Sequence, residues 1–255
     1  MRERLYVVLD LGKDPDVGPF RRCIDSTVHP VSLGDHKHVW DFLGLMEHRY
    51  IDGLYLRAPK LAENANGYCS FTNTPTGYAD TIWWNPEVGT LCGNDSAFDA
   101  FGETVMPFLF GKKDVMGTVL GTGRMARAAV AALFPVCIYL NVVSRGDSPT
   151  AFDIERMVDD IVAKTGKTTC AVEGTTYDSI ALEPMDVVVN ATPVPLTELC
   201  PGFVPTNGQL VIDLPIANPF LATLCNRVIT AWTHPPMDVF MKNQAKLADY
   251  YSCQV

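Results

Sequence analysis

The run 115–126, Val-Met-Gly-Thr-Val-Leu-Gly-Thr-Gly-Arg-Met-Ala, constrains this chain more than any other stretch. A short apolar strand runs into Gly121-x-Gly123-x-x-Ala126, and a helix-forming segment, 127–133, follows. Each small residue has a distinct use in such a turn. Gly121 permits a tight reversal, Gly123 lets backbone approach a ligand closely, and Ala126 lets helix and strand pack together. The helix N-terminus offers free N–H groups to an anion. A second apolar strand, 137–143, completes the strand-helix-strand unit that holds a dinucleotide diphosphate. The competing reading is a glycine-rich turn without a ligand.

Strand and helix patterns alternate after this point. Strands are expected at 115–120, 137–143, 168–172, 186–190, 209–214 and 228–231, with helices at 127–133 and 151–165. Such alternation predicts parallel strands in a doubly wound sheet. The first half reads differently. Strands are expected at 5–9, 27–33 and 54–57, the last stopped by Pro59. A helix is expected at 39–48, a hairpin at 80–84 and 90–92, and a helix at 97–110. The expected architecture is two-lobed α/β: a substrate lobe over 1–102, completed by a C-terminal helix at 237–255, and a Rossmann-like domain over 103–236.

Bulk properties narrow the function classes. The 255 residues are 47% hydrophobic, enough for a proper core. A net charge of −9 argues against nucleic acid as a partner, because phosphate binding wants a basic face. No apolar run approaches the roughly 20 residues that span a bilayer. The first ten residues lack a signal-peptide core, and the eight cysteines show no C-x-x-C pair or zinc spacing. A reducing, cytoplasmic location is expected. His36 and His38 read as solvated rather than metal-binding, so no metal is expected. The expected partner is a small molecule; the oligomeric state stays open, with a homodimer as the candidate assembly.

Taken together, the motifs resemble the shikimate/quinate dehydrogenase family over residues 25–255. The glycine turn resembles that family's, and Asp186-Val-Val-Val-Asn190-Ala-Thr192-Pro is very similar to its Asn-Ala-Thr-Pro segment. Gly77-Tyr-Ala-Asp80-Thr-Ile resembles Gly-Ala-Val-Asn-Thr-Ile. Residues 91–101 align without gaps to its Asn-Thr-Asp segment, and 53–60 resemble the strand ending in the catalytic lysine, one residue short. Gln244 matches a glutamine that reaches back to substrate. The resemblance implies a nicotinamide-dependent oxidoreductase of the kind found in aromatic amino acid biosynthesis. It nominates Lys60 as the proton-transferring group, an amine whose pKa partial burial would lower. It places Asp80 and Gln244 at the substrate, and Gly121, Gly123, Ala126, Asn190 and Thr192 at the cofactor.

The departures bear on the substrate. The serine pair that grips the shikimate carboxylate has no counterpart in 10–19. Asp80 and Asp95 stand where the family has asparagine, and Ala97 replaces its catalytic aspartate. Asp95 and Asp99 flank Ala97, and Asp95 is the candidate replacement; its plainer role is helix N-terminal charge. Two acids in place of two amides point to a ligand less anionic than shikimate, or one bearing an amine. Ile216 stands where the family has tyrosine, and Met237 and Val239 where it has glycines. Cofactor choice rests on Ser144 and Arg145, 24 positions past Gly121. Arginine there accommodates the 2′-phosphate of NADP, with NAD as the alternative through Asp147. Three readings follow: an NADP-dependent oxidoreductase on a small polar cyclic alcohol or ketone; a catalytically impaired relative that senses a nucleotide or metabolite; or a related nicotinamide enzyme acting on a folate or amino acid.

Overall fold

The computed structural model describes residues 5–12, 15, 17, 27–72, 75–145, 149–166, 170–177, 180–182, 184–206 and 208–214. They fall into two compact units, one ending at Ser96 and the other beginning at Ala97. Each unit is α/β and built on its own sheet. Among the described residues no helix is long and apolar enough to cross a membrane.

In the first unit, β1 (Leu5–Leu11), β2 (Thr27–Leu33), β3 (Gly53–Leu56), β4 (Phe71–Thr72), β5 (Thr81–Asn85) and β6 (Thr90–Asn94) form one sheet in the order β2-β1-β3-β5-β6-β4. β2, β1 and β3 run parallel, while β5 runs antiparallel to both β3 and β6. Successive side chains of a strand face opposite ways. Val7 and Leu9 therefore enter one apolar cluster, and Tyr6 and Val8 another. Burial on both faces explains why β1 is an unbroken apolar run. The helix α1 (Val39–Glu47) buries Val39, Leu43 and Met46, the spacing of one helical stripe. The 86–89 turn of the expected hairpin is closed by Gly89 N–H donating to Asn85 O at 2.8 Å, with Gly89 at φ +70.

Three elements of this unit escape the sequence reading, the first a single 3-10 turn over His36–His38. Pro59 does not merely stop β3; it opens helix α2 (Pro59–Tyr68) at its first turn, where a missing N–H costs nothing. The short strand β4 pairs in parallel with β6 through Phe71 and Thr72.

In the second unit, β7 (Val115–Leu120), β8 (Cys137–Ser144), β9 (Ala171–Thr176), β10 (Val187–Asn190) and β11 (Leu210–Asp213) form an all-parallel sheet in the order β11-β10-β7-β8-β9. Helix α3 (Ser96–Leu109) leads into it; α4 (Arg124–Leu133), α5 (Pro149–Thr165) and the short α6 (Leu196–Leu199) complete the described α-helices. α4 starts three residues before its expected onset at 127, directly after Gly123. Its alanines share a core with Val119, Val187 and Val189, while Leu120, Val188 and Val211 bury on the opposite face. β9 lies at 171–176 rather than 168–172, and its residues are largely exposed. An edge strand is polar on one side and carries a weak apolar signal. The expected strand at 228–231, the C-terminal helix and Gln244 lie outside the described residues.

Candidate functional site

The turn that follows β7 is built as its glycines require. Gly121 sits at φ +104 and donates its N–H to Val143 O at 2.8 Å. A Cβ there would meet Ala191 O and Thr192 Cγ2, each at 3.3 Å. Glycine is thus needed both for the backbone angle and for the close approach of the neighbouring segment. Gly123 differs. Its φ is −76, open to any residue, and a Cβ there would point into open space. It is the N-cap of α4, no side chain caps this end, and the first turn holds no acid. The positive end of the α4 dipole is therefore not offset by a side-chain cap or a first-turn acid. Ala126 is fully buried in the core beneath.

The Asn-Ala-Thr-Pro segment forms the wall against which Gly121 packs. Asn190 ends β10 fully buried. Its Nδ2 donates to Val194 O and to Asp213 Oδ1, each at 2.7 Å. Its Oδ1 accepts from Thr192 N–H at 3.1 Å and lies 2.8 Å from Thr192 Oγ1. Asp213 Oδ2 accepts from Leu196 N–H at 3.1 Å, which ties in α6. Asn190 is thus a positioning residue: its amide bonds shape the segment, and Ala191 and the Thr192 methyl meet the glycine turn.

Ser144 ends β8, half-buried, and Arg145 follows it, exposed. Burial pushes the Tyr177 phenol up, with the charge of Arg145 working the other way. Between α5, β8 and β9 lies a cavity of about 430 Å³. Thr122 and Ser144 line it, with three carboxylates, Glu155, Asp159 and Glu173. Sequence reasoning passed over these acids, although Glu155 and Asp159 at i, i+4 share a helix face. Asp147 lies outside the described residues.

The first unit presents a second arrangement. Parallel strands β1 and β3 end at the same edge at which β5 begins and β6 ends. Asp10, Arg57, Asp80 and Asp95 occupy that edge. Asp80 and Asp95 are enclosed, at 1% and 0% exposure. Asp80 Oδ1 accepts from Ser96 N–H at 2.9 Å and Thr81 Oγ1–H at 3.0 Å, and its Oδ2 accepts from Ser96 Oγ–H. It therefore caps the start of α3 from a distant strand, the dipole-complementing role expected of Asp95. Asp95 Oδ2 instead accepts from Thr76 Oγ1–H at 2.6 Å. Neither acid leaves its oxygens simply open to a ligand.

Lys60 stands in the first turn of α2, half-exposed, with Nζ 2.9 Å from Glu63 Oε2. The hydrogen bond to Glu63 raises its pKa, the reverse of the lowering that partial burial was expected to give. The next residues, Leu61 and Ala62, enter the core instead. Ala97 is fully buried, among Phe101 and Val105. Among the described residues no cluster of His, Cys, Asp or Glu is suited to hold a metal.

No family model and no curated protein matches the chain. Solved structures do. A shikimate 5-dehydrogenase from Listeria monocytogenes, solved with shikimate and NAD, matches with TM-score 0.72 at 15% identity, over 94% of this chain and 92% of that one. A shikimate dehydrogenase solved with NADP+ matches with TM-score 0.66 at 15% identity, over 94% and 87%. A 5-ketofructose reductase from Gluconobacter sp. strain CHM43 matches with TM-score 0.67 at 16% identity, over 95% and 99%. The chain has the fold of the shikimate dehydrogenases, with a Rossmann-like second unit.

Proposed function

We propose that the chain is a nicotinamide-dependent oxidoreductase that moves a hydride between NADP and a small polar cyclic alcohol or ketone. The observation that carries this reading is the glycine turn: Gly121 pressed against Ala191 and Thr192, Gly123 open, and an uncapped helix end behind it. A diphosphate fits there because a helix N-terminus without a side-chain cap, with the dipole of α4 behind it, favours an anion. When bound, the coenzyme supplies or accepts the hydride. The residues that would hold it are the backbone of 121–124, Thr192 on the wall, and Ser144 with Arg145 at the ribose end. Arg145 supports the phosphorylated coenzyme, since a guanidinium matches a phosphate. NAD is the second reading, favoured by Glu155, Asp159 and Glu173 around the cavity beside Ser144, where a further phosphate would meet like charge.

On the substrate side, the fold neighbours act on different molecules: by name, one on shikimate and one on 5-ketofructose. Lys60, fully charged at neutral pH, supplies a cation near which negative charge on a carbonyl oxygen is stabilised. Asp80 and Asp95 add negative charge to the same strand edge, which favours a substrate less anionic than shikimate or one with an amine. The competing role of a sensor is favoured by Ala97, which sits buried where the family's catalytic aspartate would stand.

Titration calorimetry of the full chain with NADP+ and NAD+, followed by a turnover panel with the coenzyme that binds, tests the proposal. The expected result is saturable binding with tighter affinity for NADP+, and oxidation of at least one polyol. Heat from neither coenzyme would end the oxidoreductase reading. Coenzyme binding without turnover of any panel member would transfer support to the sensor.

A further inference from the structure

We infer that β9 is an association edge: it pairs with β9 of a second copy of this chain, antiparallel about a two-fold axis, and so joins two five-stranded sheets into one. This contact lies on the second unit alone and holds whichever coenzyme or substrate the chain takes.

An edge strand offers a row of N–H and C=O groups to any extended chain. Folded proteins guard such edges by shortness, proline, charge or cover. The two sheets have four edges, β2, β4, β11 and β9. β4 is only two residues long. β2 carries Pro30 at its centre, which has no N–H to give. β11 is buried along its whole length, Leu210 to Asp213. β9 has none of these guards. It runs six residues, Ala171 to Thr176, without proline, lysine or arginine. Ala171, Glu173, Gly174 and Thr176 are exposed, and Val172 and Thr175 are half-buried. Its register matches it to β8 on the inner side, Tyr139 to Ser144, and among the described residues no strand lies on the outer side.

The side chains of β9 leave that outer side clear. Glu173 is the strand's single charge, and its Oε2 accepts from Tyr139 Oη–H of β8 at 2.7 Å. Thr175 Oγ1–H donates to Asn141 Oδ1, also on β8, at 2.9 Å. Both groups are drawn inward over the sheet. A Cβ on Gly174 would meet nothing within 4 Å.

Two-fold symmetry selects the occupant. Two identical strands in an antiparallel ladder satisfy each other, because each offers its mate the same alternating row of donors and acceptors. An axis at Gly174 sets Val172 opposite Thr176 of the second copy, and Glu173 opposite its Thr175. The residue on the axis has no side chain to crowd its mate. The two Glu173 carboxylates stand on opposite sides of the axis rather than face to face, where like charges destabilise a ladder. Head-to-tail growth of the sheet would instead need β11 as the mate of β9, and β11 is buried. The contact therefore closes at two copies.

Analytical ultracentrifugation of the full chain over a concentration series reads the mass. The expected result is a reversible monomer–dimer equilibrium with no larger species. Gly174→Lys sets two ammonium groups together at the axis and should weaken the dimer at least about tenfold. Ser32→Lys, on the edge strand β2, should leave the equilibrium unchanged. Thermal midpoints at a concentration where every variant is monomeric verify that each one folds. Hydrogen exchange supplies a second readout that needs no variant: amides of 171–176 should exchange more slowly at the dimeric end of the series than at the monomeric end. A monomer at every concentration overturns the inference. So does growth beyond two copies. A dimer that Gly174→Lys leaves intact, with 171–176 exchanging alike at both ends of the series, overturns it as well and puts the contact elsewhere.

Discussion

At the scale of single residues, Asn190 shows how a motif residue shapes its segment through one side-chain amide. Its side chain is fully buried and joins Val194, Thr192 and Asp213. Asn190→Ala removes both donors from Val194 O and Asp213 Oδ1 and leaves a buried carboxylate short of a partner. The expected cost is about 3 kcal/mol, from buried polar groups that lose their bonds. Urea unfolding measures it, and a cost below about 1 kcal/mol would show that the network is dispensable. Cys69 yields a pH prediction. Burial, helped by neighbouring Cys92, pushes its thiol up to about 12 from an ordinary 9.0. A folded pKa above the unfolded one means that the protonated thiol is favoured by folding. This contribution is complete below pH 9 and is lost as pH rises toward 12. In the native protein at pH 9, alkylation of the Cys69 peptide should run at least about a hundredfold slower than in urea, since only the thiolate reacts. Peptide mapping that finds comparable rates in both conditions would show that the thiol is not held by burial.

At the scale of elements, the two glycines of the turn separate stability from binding. Gly121→Ala forces a Cβ into a left-handed backbone angle and to 3.3 Å from Ala191 O. The expected cost is about 1–3 kcal/mol. Gly123→Ala meets neither strain nor neighbour, so stability should stay within about 0.5 kcal/mol. The added methyl instead occupies the space a diphosphate would take, and coenzyme affinity should fall about tenfold or more. Wild-type affinity in Gly123→Ala would remove the turn from the coenzyme site. Legibility in the sequence followed the same division. β7 and β10 were readable because buried parallel strands are continuous apolar runs, and the glycine turn because its geometry tolerates little else. Helix α2 was not, since only Leu61, Ala62 and Ala65 bury, among Asn and Gly, and Pro59 has one reading as a stop and another as a start. The role of Asp80 was hidden for a different reason. Its partner Ser96 is 16 residues away, and Asp95 finds Thr76 across 19. Capping from a distant strand leaves no local spacing to read. Arg57 carried a visible signal, a charge directly after an apolar strand and before Pro59, but its approach to Asp10 at 3.9 Å needed β1 beside it.

At the scale of the whole molecule, each unit carries its own pair of apolar cores. Val7, Leu54 and Ile82 belong to one in the first unit, and Val119, Leu140 and Val189 to one in the second. The proposed diphosphate site draws only on the second unit, since Gly121, Gly123 and Thr192 all follow Ala97. A ligand stabilises the cooperative unit that binds it, by about 2.7 kcal/mol at a hundred times its dissociation constant. Amides that exchange only when that unit opens should slow by the corresponding factor, about a hundredfold. With saturating coenzyme, hydrogen exchange should therefore slow in Val115–Leu120 and Val187–Asn190, at the centre of the second sheet. Amides of Gly53–Leu56, at the centre of the first sheet, should slow far less. Equal slowing in both strands would mean that the two sheets open as one cooperative body. Slowing confined to Gly53–Leu56 would place the coenzyme in the first unit and defeat the assignment of the turn. The comparison needs no substrate, so it separates the coenzyme question from the choice of alcohol or ketone.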